Sequence, residues 1–408
     1  MGVRAWLTGR DGGVRRTLWA QLTGAFDPDA LTVQPVVRSP SDLAVLQYTS
    51  GTTGGLKAAM MSHRNLVANA LQNNAWFGWT KDDVILGALP LCHTWGMCCV
   101  MNAALAAGAR IAMVRDFDAD RVLETIARER VTVAYGSATK FHRLLDAAGP
   151  SAPECFASLR YVKAGAMLIG SDLYARWTAA VPGVLMINGY GLTEAGPEVT
   201  NNPPHARRAG TVGIPLPGTE LRLGIVPDAE RVGDEGDAAG GATGAGEVQI
   251  RGPQVMSGYW RNPDATRAAF TDDGWLRTGD LARFDEAGYL VILDRLKDLI
   301  KHRGWSVVPG EVERALREHP TVAEACVVGV PDPRDGEVPV ACLVLRDGAA
   351  GPTDEAWLSG IDAFLDARLA RYKHPRRFVV VPEIPKNHVG KPLRRVLRDS
   401  FMSKVPLT

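Results

Sequence analysis

The sequence predicts an α/β fold in which a parallel sheet is followed by a β-rich section and then by a separate α+β domain. Up to about residue 200, short β-rich runs alternate with helical stretches, a rhythm typical of a mostly parallel sheet. From residue 210 to 293 the strands become short and turn-bounded, which suits a small β-barrel or an antiparallel layer. We therefore predict a large domain at 1–294, divided into an α/β part at 1–209 and a barrel part at 210–294, and a C-terminal domain at 295–408.

Individual elements follow from local patterns. Residues 43–49 (LAVLQYT) predict a buried strand, and Ser62 is placed to cap the helix that follows the next loop. Residues 228–246 are rich in Gly, Ala and Asp and predict an exposed mobile loop. The remaining elements are predicted at 110–114 (strand), 120–130 (helix), 132–135 (strand), 184–188 (strand), EVERALREH (helix), ACVVGV (strand), VACLVLR (strand) and WLSGIDAFLDARL (helix).

Composition limits the classes of protein to consider. Apolar residues make up 46% and charged residues 22%, as in globular proteins, and a net charge of +1 predicts no attraction to nucleic acid. Residues 1–20 lack an apolar signal segment, and the most apolar run, at 98–114, is interrupted by Asn102 and Arg110. Because the six cysteines show no CxxC spacing, we expect reduced thiols in a cytoplasmic protein without stable membrane insertion.

The first chemical signal is the loop YTSGTTGGLKAAM at 48–60. Its backbone N–H groups and hydroxyls can face phosphate oxygens, and Lys57 adds a positive charge. A Walker loop would need Gly where Leu56 stands and Ser or Thr where Ala58 stands, so the loop belongs to another class. Taken alone, the cluster is equally compatible with a surface turn.

Six further segments make the loop part of an ordered set. They are LPLCHTWGM at 89–97, NGYGLTEAGP at 188–197, GEVQIRGPQVMSGYW at 246–260, WLRTGDLAR at 275–283, DRLKDLIKHRGWSVVPGEVE at 294–313 and PKNHVGKPLRR at 385–395. In this order they resemble the adenylate-forming (AMP-binding) superfamily, and the PLxH pattern resembles its acyl-CoA synthetase and fatty-acid–CoA ligase branch. The resemblance implies a large domain of parallel α/β layers plus a small β-barrel, followed by a mobile α+β lid.

The resemblance implies a nucleotide site that holds ATP and Mg²⁺. The phosphate-binding residues would be Thr49, Ser50, Gly51, Thr52, Thr53, Gly54 and Lys57. Tyr190 would lie against adenine, in a motif that also contributes Asn188, Gly189 and Gly191. Thr193 would bond the α-phosphate and Glu194 would hold Mg²⁺, whereas Asp280 and Arg295 would contact the ribose. Alone, Glu194 reads as a surface acid and Asp280 as a turn residue.

The resemblance also implies two conformations of the C-terminal domain. Lys391 would be the catalytic lysine of adenylate formation, and Lys297 would be the hinge about which the domain rotates. Gly304 would then lie beside the path of the CoA pantetheine arm, where the absence of a side chain permits close approach.

The acid is predicted to be fatty or otherwise apolar, in keeping with a role in fatty acid metabolism. His93 would gate or line the acyl site, although a structural histidine is the alternative. Candidate pocket residues are largely apolar and comprise Trp95, Gly96, Met97, Ala164, Gly165, Ala166, Met167 and Gly189. Lys163 stands where the family has a small residue. It would bind a second carboxylate of the substrate or point to solvent, and we favour solvent.

The thiol acceptor is predicted to be CoA, with an acyl carrier protein as the alternative. Residues 368–398 contain ten Lys and Arg against one acid, Glu383, which indicates either a solvated basic face or attraction of CoA or an acidic carrier. Only 47 residues precede Tyr48, fewer than the family carries, so the resemblance implies an N-terminally truncated chain. A non-catalytic nucleotide- or acyl-adenylate-binding protein, and a homodimer, therefore remain open.

Overall fold

The computed structural model describes residues 38–50, 56–165, 169, 171–226, 244–346, 348–349, 355–386 and 392–402. The chain divides into two compact units, Met1–Asp42 and Leu43–Thr408. In the described part of the first unit, the Asp42 N–H donates to the Ser39 carbonyl oxygen at 2.9 Å and closes a turn. The predicted mobile loop at 228–246 lies outside the described residues except for its last three positions.

The second unit contains the following elements. The strands are β1 (Leu43–Ser50), β2 (Leu56–Ser62), β3 (Val84–Gly87), β4 (Arg110–Met113), β5 (Val133–Ser137), β6 (Tyr161–Gly165), β7 (Leu185–Gly191), β8 (Glu198–Asn201), β9 (Ile214–Pro215), β10 (Glu220–Gly224), β11 (Gly246–Arg251), β12 (Leu276–Phe284), β13 (Leu290–Arg295), β14 (Ile300–His302), β15 (Trp305–Val307), β16 (Val322–Asp332), β17 (Gly336–Leu345) and β18 (Arg377–Val380). The α-helices are α1 (His63–Phe77), α2 (Ala103–Ala107), α3 (Ala119–Glu129), α4 (Ala138–Ala148), α5 (Ala152–Cys155), α6 (Ser171–Ala180), α7 (Pro263–Ala269), α8 (Pro309–Arg317), α9 (Glu355–Asp366) and α10 (Arg394–Met402). A π-helix spans Trp95–Asn102, and short 3₁₀ turns span Gly149–Ser151, Thr193–Ala195, Leu296–Asp298 and Arg371–Lys373.

A seven-stranded sheet forms the centre of the unit, in the order β4-β3-β5-β6-β7-β8-β9. Strands β3 to β7 pair in parallel, and β8 and β9 are antiparallel. Alternate residues of β6 face opposite sides, so Val162 packs with α3–α6 while Tyr161 packs with α1 and the π-helix. Helices on both faces are what a parallel sheet needs to bury its strands. The predicted α/β class is confirmed.

The hairpin of β1 and β2 differs from its prediction. Residues 43–49 do form a strand, but Leu43 is 45% and Tyr48 62% exposed, so the predicted burial is wrong. The reason is that β1 pairs antiparallel with β2 in a two-stranded sheet, which leaves one face open. Ser62 caps α1 as predicted, because its hydroxyl accepts the Asn65 N–H at 3.2 Å.

The later sections follow the predicted change of character. Strands β10 to β13 form a four-stranded antiparallel sheet, the antiparallel layer expected after residue 210. The last sheet runs β15-β14-β17-β16, with β18 added in parallel beside β17. Leu316 of α8 and Trp357 of α9 pack in one core, and Leu397 of α10 packs in another. The result is an α+β layer in which a sheet is covered by helices.

Candidate active site

The end of β7 and the turn after it position several of the predicted site residues. Asn188 is buried, and its carbonyl oxygen accepts the Asn202 N–H at 3.0 Å. A Cβ on Gly191 would lie 1.7 Å from the Pro197 carbonyl oxygen, so only glycine lets β7 and β8 approach this closely. Thr193 begins the 3₁₀ turn that links the two strands. This tight packing fixes the backbone on either side of Tyr190.

Tyr190, Asp280 and Arg295 form the first polar cluster. The Tyr190 hydroxyl donates to Asp280 Oδ2 at 2.6 Å, and Arg295 Nε lies 3.1 Å from Asp280 Oδ1. Asp280 and Arg295 meet because they are register partners on β12 and β13. Burial, reinforced by Asp280, holds the pKa of the Tyr190 hydroxyl well above its usual value, and Asp280 raises the pKa of Arg295. The cluster therefore presents a carboxylate between a protonated phenol and a cation, able to accept further hydrogen bonds from hydroxyl groups.

Glu194, Tyr259 and Lys57 form a second cluster. Glu194 Oε1 accepts the Tyr259 hydroxyl at 2.9 Å, and Lys57 Nζ lies 5.1 Å from the centroid of the Tyr259 ring. The charge of Glu194 also contributes to the raised pKa of Arg295, so the two clusters are electrostatic neighbours. The sequence assigned no role to Tyr259. The feature that could have indicated a role for Tyr259 is its position in SGYW, at the end of the segment 246–260.

The phosphate loop is described only at its two ends. Thr49 and Ser50 end β1, directly opposite Lys57 and Leu56 of β2. The hairpin thus places Thr49 beside Lys57, as a phosphate-binding loop requires. The predicted residues Gly51, Thr52, Thr53 and Gly54 lie outside the described residues.

The predicted acyl-site residues lie on the π-helix, on the turn before it and on β6. His93 Nδ1 accepts the Trp95 N–H at 3.2 Å. A Cβ on Gly96 would lie 2.3 Å from the Pro90 carbonyl oxygen, so the chain crosses itself too closely there for a side chain. Trp95 is buried, and a Cβ on Gly165 would lie 2.9 Å from its indole ring. The other predicted pocket residues are Met97 (half-buried), Ala164 (buried), Gly189 (half-buried) and Ala166 and Met167, which lie outside the described residues.

The position of the Lys163 side chain differs from the prediction. The side chain was expected to point to solvent, but it is 2% exposed and pairs with the carboxylate of Glu198 on β8. The period of two along β6 directs Lys163 to the same face as Tyr161, which α1 and the π-helix cover, so no solvent is available. No role for Glu198 could be predicted, because Lys163 and Glu198 are far apart along the chain and no local pattern indicates that they pair.

Around the predicted hinge, Lys297 lies in the turn Leu296–Asp298, and burial lowers the pKa of its ammonium group. Nearby, Arg394 at the start of α10 contacts three carboxylates. Its guanidinium lies 2.8 Å from Glu313, 3.4 Å from Asp294 and 3.6 Å from Asp298. Burial raises the pKa of Asp294, and Arg394 opposes that shift. Lys391, three residues before Arg394, lies outside the described residues.

Gly304 lies between β14 and β15. Its φ is +78°, and no heavy atom lies within 4 Å of a Cβ added there. The glycine therefore serves a left-handed turn, and the space beside it is open, while its place on the path of the pantetheine arm stays a prediction.

The basic stretch at 368–398 is largely neutralised. Its side chains meet acids in the pairs Arg368–Glu318, Arg371–Asp366, Lys373–Glu311, Arg376–Asp335, Lys386–Glu324, Arg394–Glu313 and Arg395–Asp399. All seven acids lie outside residues 368–398, so counting the charges within that stretch alone overstates the positive charge of this face. The surface is closer to a salt-bridged layer than to a strongly cationic patch.

Glu194 is the candidate ligand for Mg²⁺. Within the described residues, no group of three or more His, Cys, Asp and Glu side chains is arranged to hold a metal ion. Mg²⁺ commonly uses one or two carboxylates and completes its shell with phosphate oxygens and water, so a single carboxylate beside Lys57 fits that ion. Among the described helices, none is both long and apolar enough to span a membrane. All six cysteines are free thiols.

Two family models match the chain. AMP-binding enzyme matches residues 10–260, and AMP-binding enzyme C-terminal domain matches residues 311–391. The 4-coumarate–CoA ligase 3 of Oryza sativa subsp. japonica is 35% identical over 90% of this chain and 65% of its own length. The long-chain-fatty-acid–CoA ligase of Bacillus subtilis (strain 168) is 36% identical over 91% of this chain and 64% of its own length.

A solved structure shares the architecture. ATP-bound MatB from Rhodopseudomonas palustris superposes with a TM-score of 0.80 and 35% identity, over 90% of this chain and 69% of MatB. The chain thus spans about 65% of the length of the curated ligases that it matches. The matched family model covers residues 10–260, well over half of the sequence, and this range includes Tyr190, Glu194 and Tyr259. The chain belongs to the AMP-binding enzyme family.

Proposed function

We propose that the chain activates a carboxylic acid with ATP to an acyl-AMP and then transfers the acyl group to CoA. The observation that supports this most is that two polar clusters are built from the end of β7 and the turn after it. Tyr190 bonds Asp280, which contacts Arg295, and Glu194 of the turn accepts the Tyr259 hydroxyl; each cluster suits a different part of one nucleotide. Family membership supports adenylation in general, and the acid and the acceptor are the further steps of the proposal.

In the first step, a carboxylate oxygen of the acid attacks the α-phosphorus of ATP. The acyl–oxygen–phosphorus link forms, the bond to the β-phosphate breaks, and pyrophosphate leaves with its electron pair. Both partners are anions, so the site must offset their repulsion and hold them in line. Asp280 would accept the ribose hydroxyls, Thr193 would bond the α-phosphate, and Thr49, Ser50 and Lys57 would hold the outer phosphates.

Mg²⁺ bound at Glu194 would neutralise charge on the phosphate oxygens. The remaining work falls to the chain. Tyr259 holds Glu194 through its hydroxyl, and the β1–β2 hairpin holds Lys57 beside that tyrosine. Lys391 would supply a further cation to the attacking carboxylate and the α-phosphate.

In the second step, the CoA thiolate attacks the acyl carbonyl carbon and AMP leaves. The thiol gives its proton to solvent or a nearby base, the carbon–sulfur bond forms, and the acyl–oxygen bond to AMP breaks. Rotation about Lys297 would remove Lys391 and bring Gly304 to the thiol path. CoA is favoured over a carrier protein because the relatives named above are, by their names, CoA ligases.

The proposed acid is fatty or otherwise apolar. Trp95, Ala164 and Gly165 lie in or beside apolar packing, and Lys163 is neutralised by Glu198. The relatives named above act, by their names, on 4-coumarate and on long-chain fatty acids. Both are acids with a large apolar part, which is an aromatic ring in the first and an alkyl chain in the second.

Pyrophosphate release tests the proposal directly. The folded chain is assayed with ATP, Mg²⁺ and a panel of fatty, aryl and dicarboxylic acids, with and without CoA. We expect acid-dependent pyrophosphate, and thioester only when CoA is present. Asp280→Asn serves as the matched variant and should raise the KM for ATP by about 10-fold or more, since a charged acceptor is lost.

Three results would contradict parts of this proposal. ATP binding without acid-dependent pyrophosphate would favour a non-catalytic nucleotide-binding protein. Thioester formed only on a phosphopantetheinyl carrier protein would replace CoA as the acceptor. An unchanged KM for ATP in Asp280→Asn would remove the assigned ribose contact.

A further inference from the structure

An ion pair lies in the wall of the proposed acyl site. Lys163 of β6 and Glu198 of β8 are 2% and 5% exposed, and their charged atoms are in contact. Taking two charges out of water costs several kcal/mol for each ion, and an apolar pair of the same volume is often as stable. A stability role alone is therefore a weak explanation for the pair, and its neighbours show what else it does.

Glu198 bonds to more than Lys163. Its Oε1 accepts the indole N–H of Trp95 at 3.2 Å, and its Oε2 accepts the side-chain amide of Asn201 at 2.5 Å. Cys99, fully buried beside the carboxylate, has its thiol pKa raised by burial and by the Glu198 charge. Among these partners Lys163 is the cation, and the indole and amide groups are uncharged donors.

Aromatic rings surround the ammonium group. Lys163 Nζ lies 5.7 Å from the ring centroids of Phe77 and of Tyr135, within the distance of a cation–π contact. Tyr135 in turn packs edge-on against Trp95, with ring centroids 5.9 Å apart. The ion pair and three aromatic rings thus form one packed group.

The held indole lies across Gly165. The indole ring comes so close that a Cβ on Gly165 would lie 2.9 Å from two of its carbon atoms. Trp95 itself is 7% exposed. An indole fixed at both its N–H and its outer edge cannot swing aside without breaking the bond to Glu198.

We propose that the Lys163–Glu198 pair positions Trp95 as the end wall of the acyl site, so that the enzyme accepts compact uncharged acids and rejects long chains. The proposal rests on the proposed function and names its substrate class: a short acyl chain or a single ring. It also excludes dicarboxylic acids, because Lys163 is already neutralised and a second carboxylate would approach Glu198. Lys163 and Glu198 are positioning residues, since they act through Trp95.

The experiment measures binding and therefore does not need turnover. Non-reactive acylsulfamoyl adenosines carrying acetyl, hexanoyl, benzoyl, succinyl or palmitoyl groups are titrated by calorimetry into wild type and three variants. Lys163→Met/Glu198→Leu removes the pair and the indole acceptor, Lys163→Met/Glu198→Gln keeps one acceptor, and Trp95→Ala removes the wall. Lys373→Met/Glu311→Leu, which removes a half-buried pair in the last α+β section, controls for general loosening.

Wild type should bind the hexanoyl and benzoyl analogues at least about 10-fold tighter than the palmitoyl or succinyl analogue, the scale of discrimination by pocket size. Trp95→Ala and Lys163→Met/Glu198→Leu should remove the discrimination against palmitoyl. Lys163→Met/Glu198→Gln and the control pair should keep it. A second readout is the Trp95 indole N–H resonance, assigned with Trp95→Phe among the ten tryptophans, which should broaden or shift only when the acceptor is lost.

The proposal is overturned if wild type binds palmitoyl as well as hexanoyl, or if Trp95→Ala leaves the profile unchanged. It is also overturned if Lys163→Met/Glu198→Leu folds, yet keeps both the wild-type profile and the wild-type indole resonance. Absence of binding by every analogue would contradict the proposed function instead. In that case the indole resonance would still report whether the pair holds Trp95.

Discussion

Two charge clusters of this chain differ in their composition, their exposure and the elements that they join. The Lys163–Glu198 cluster pairs one cation with one carboxylate inside the seven-stranded sheet, and both side chains are at most 5% exposed. The Arg394 cluster sets one guanidinium, 20% exposed, against Asp294, Asp298 and Glu313. The first joins strands of one sheet, whereas the second joins α10 to the end of β13 and to α8.

The difference follows from what each cluster must allow. A one-to-one pair sealed among aromatic rings is stable only if neither partner moves, so it suits a rigid wall. A cation that faces three carboxylates, with water at its edge, can exchange partners at lower cost, because the desolvation penalty is smaller. Arg394 is therefore suited to hold the start of α10 against β13 and α8 and to release it.

Of the substitutions considered, Lys163→Met should have the largest effect on stability. It leaves the Glu198 carboxylate buried without a cation, so we expect a loss of about 3–5 kcal/mol in the free energy of unfolding. Urea denaturation followed by Trp fluorescence measures it. Lys163→Met/Glu198→Gln should recover most of the loss, and a loss below about 1 kcal/mol for the single variant would show that the pair is not sealed.

Lys391→Ala tests whether the hinge side carries the first half-reaction. We expect a fall of roughly 10²–10³-fold in acyl-AMP formation, the usual effect of losing one charge-stabilising group, with thioester formation from supplied acyl-AMP largely spared. Pyrophosphate exchange and thioester assays separate the two steps. Lys386→Ala, a neighbouring lysine that pairs with Glu324, should change neither, and equal loss of both steps in Lys391→Ala would contradict domain alternation.

Arg394→Met tests whether the Arg394 cluster is a releasable contact, in contrast to the rigid Lys163–Glu198 pair. Without the guanidinium, the start of α10 loses its link to Asp294 and Glu313, so acyl-AMP formation should fall roughly 10- to 100-fold, as for a misplaced catalytic group. The free energy of unfolding should fall less than in Lys163→Met. Arg395→Met is the matched control, because Arg395 is 72% exposed and contacts Asp399. Equal rates for the two arginine variants would remove the positioning role of Arg394.

Buried cysteine thiols lie near both clusters, and their rate of chemical labelling is the property for which we expect the smallest effect. Burial, with a contribution from Glu198, raises the pKa of Cys98 to about 12, and burial with Glu313 does the same for Cys342. Because the thiolate is the reactive form, neither should react with iodoacetamide at pH 8 in the folded protein, whereas the exposed Cys92 should. Peptide mass spectrometry over time measures the labelling. By loosening the packing around Glu198, Lys163→Met should speed labelling of Cys98 and of its neighbour Cys99 but not of Cys342, and Arg394→Met should speed that of Cys342 but not of Cys98 or Cys99. The opposite pattern would show that the clusters are not independent.

Much of the fold could be predicted from local patterns. The cap at Ser62, the strands near 110 and 184 and the helix near 120 depend on neighbouring residues, and they form where the sequence places them. The burial of 43–49 could not be predicted, because an apolar run does not tell whether a strand enters a seven-stranded sheet or a two-stranded hairpin. The site shows the same limit, since motif order indicated Tyr190 and Asp280 but not the hydrogen bond that joins them.

By itself, the sequence determined the α/β class and the order of the adenylation motifs, and it predicted which residues would lie near the nucleotide. The tertiary structure alone decided which charges are satisfied: Lys163 lies against Glu198 instead of solvent, and the basic stretch at 368–398 meets acids from other segments. The physical reason is that electrostatic pairing acts through space. Arg394 and Asp294 are 100 residues apart in the chain, and no local pattern of residue types records that they meet.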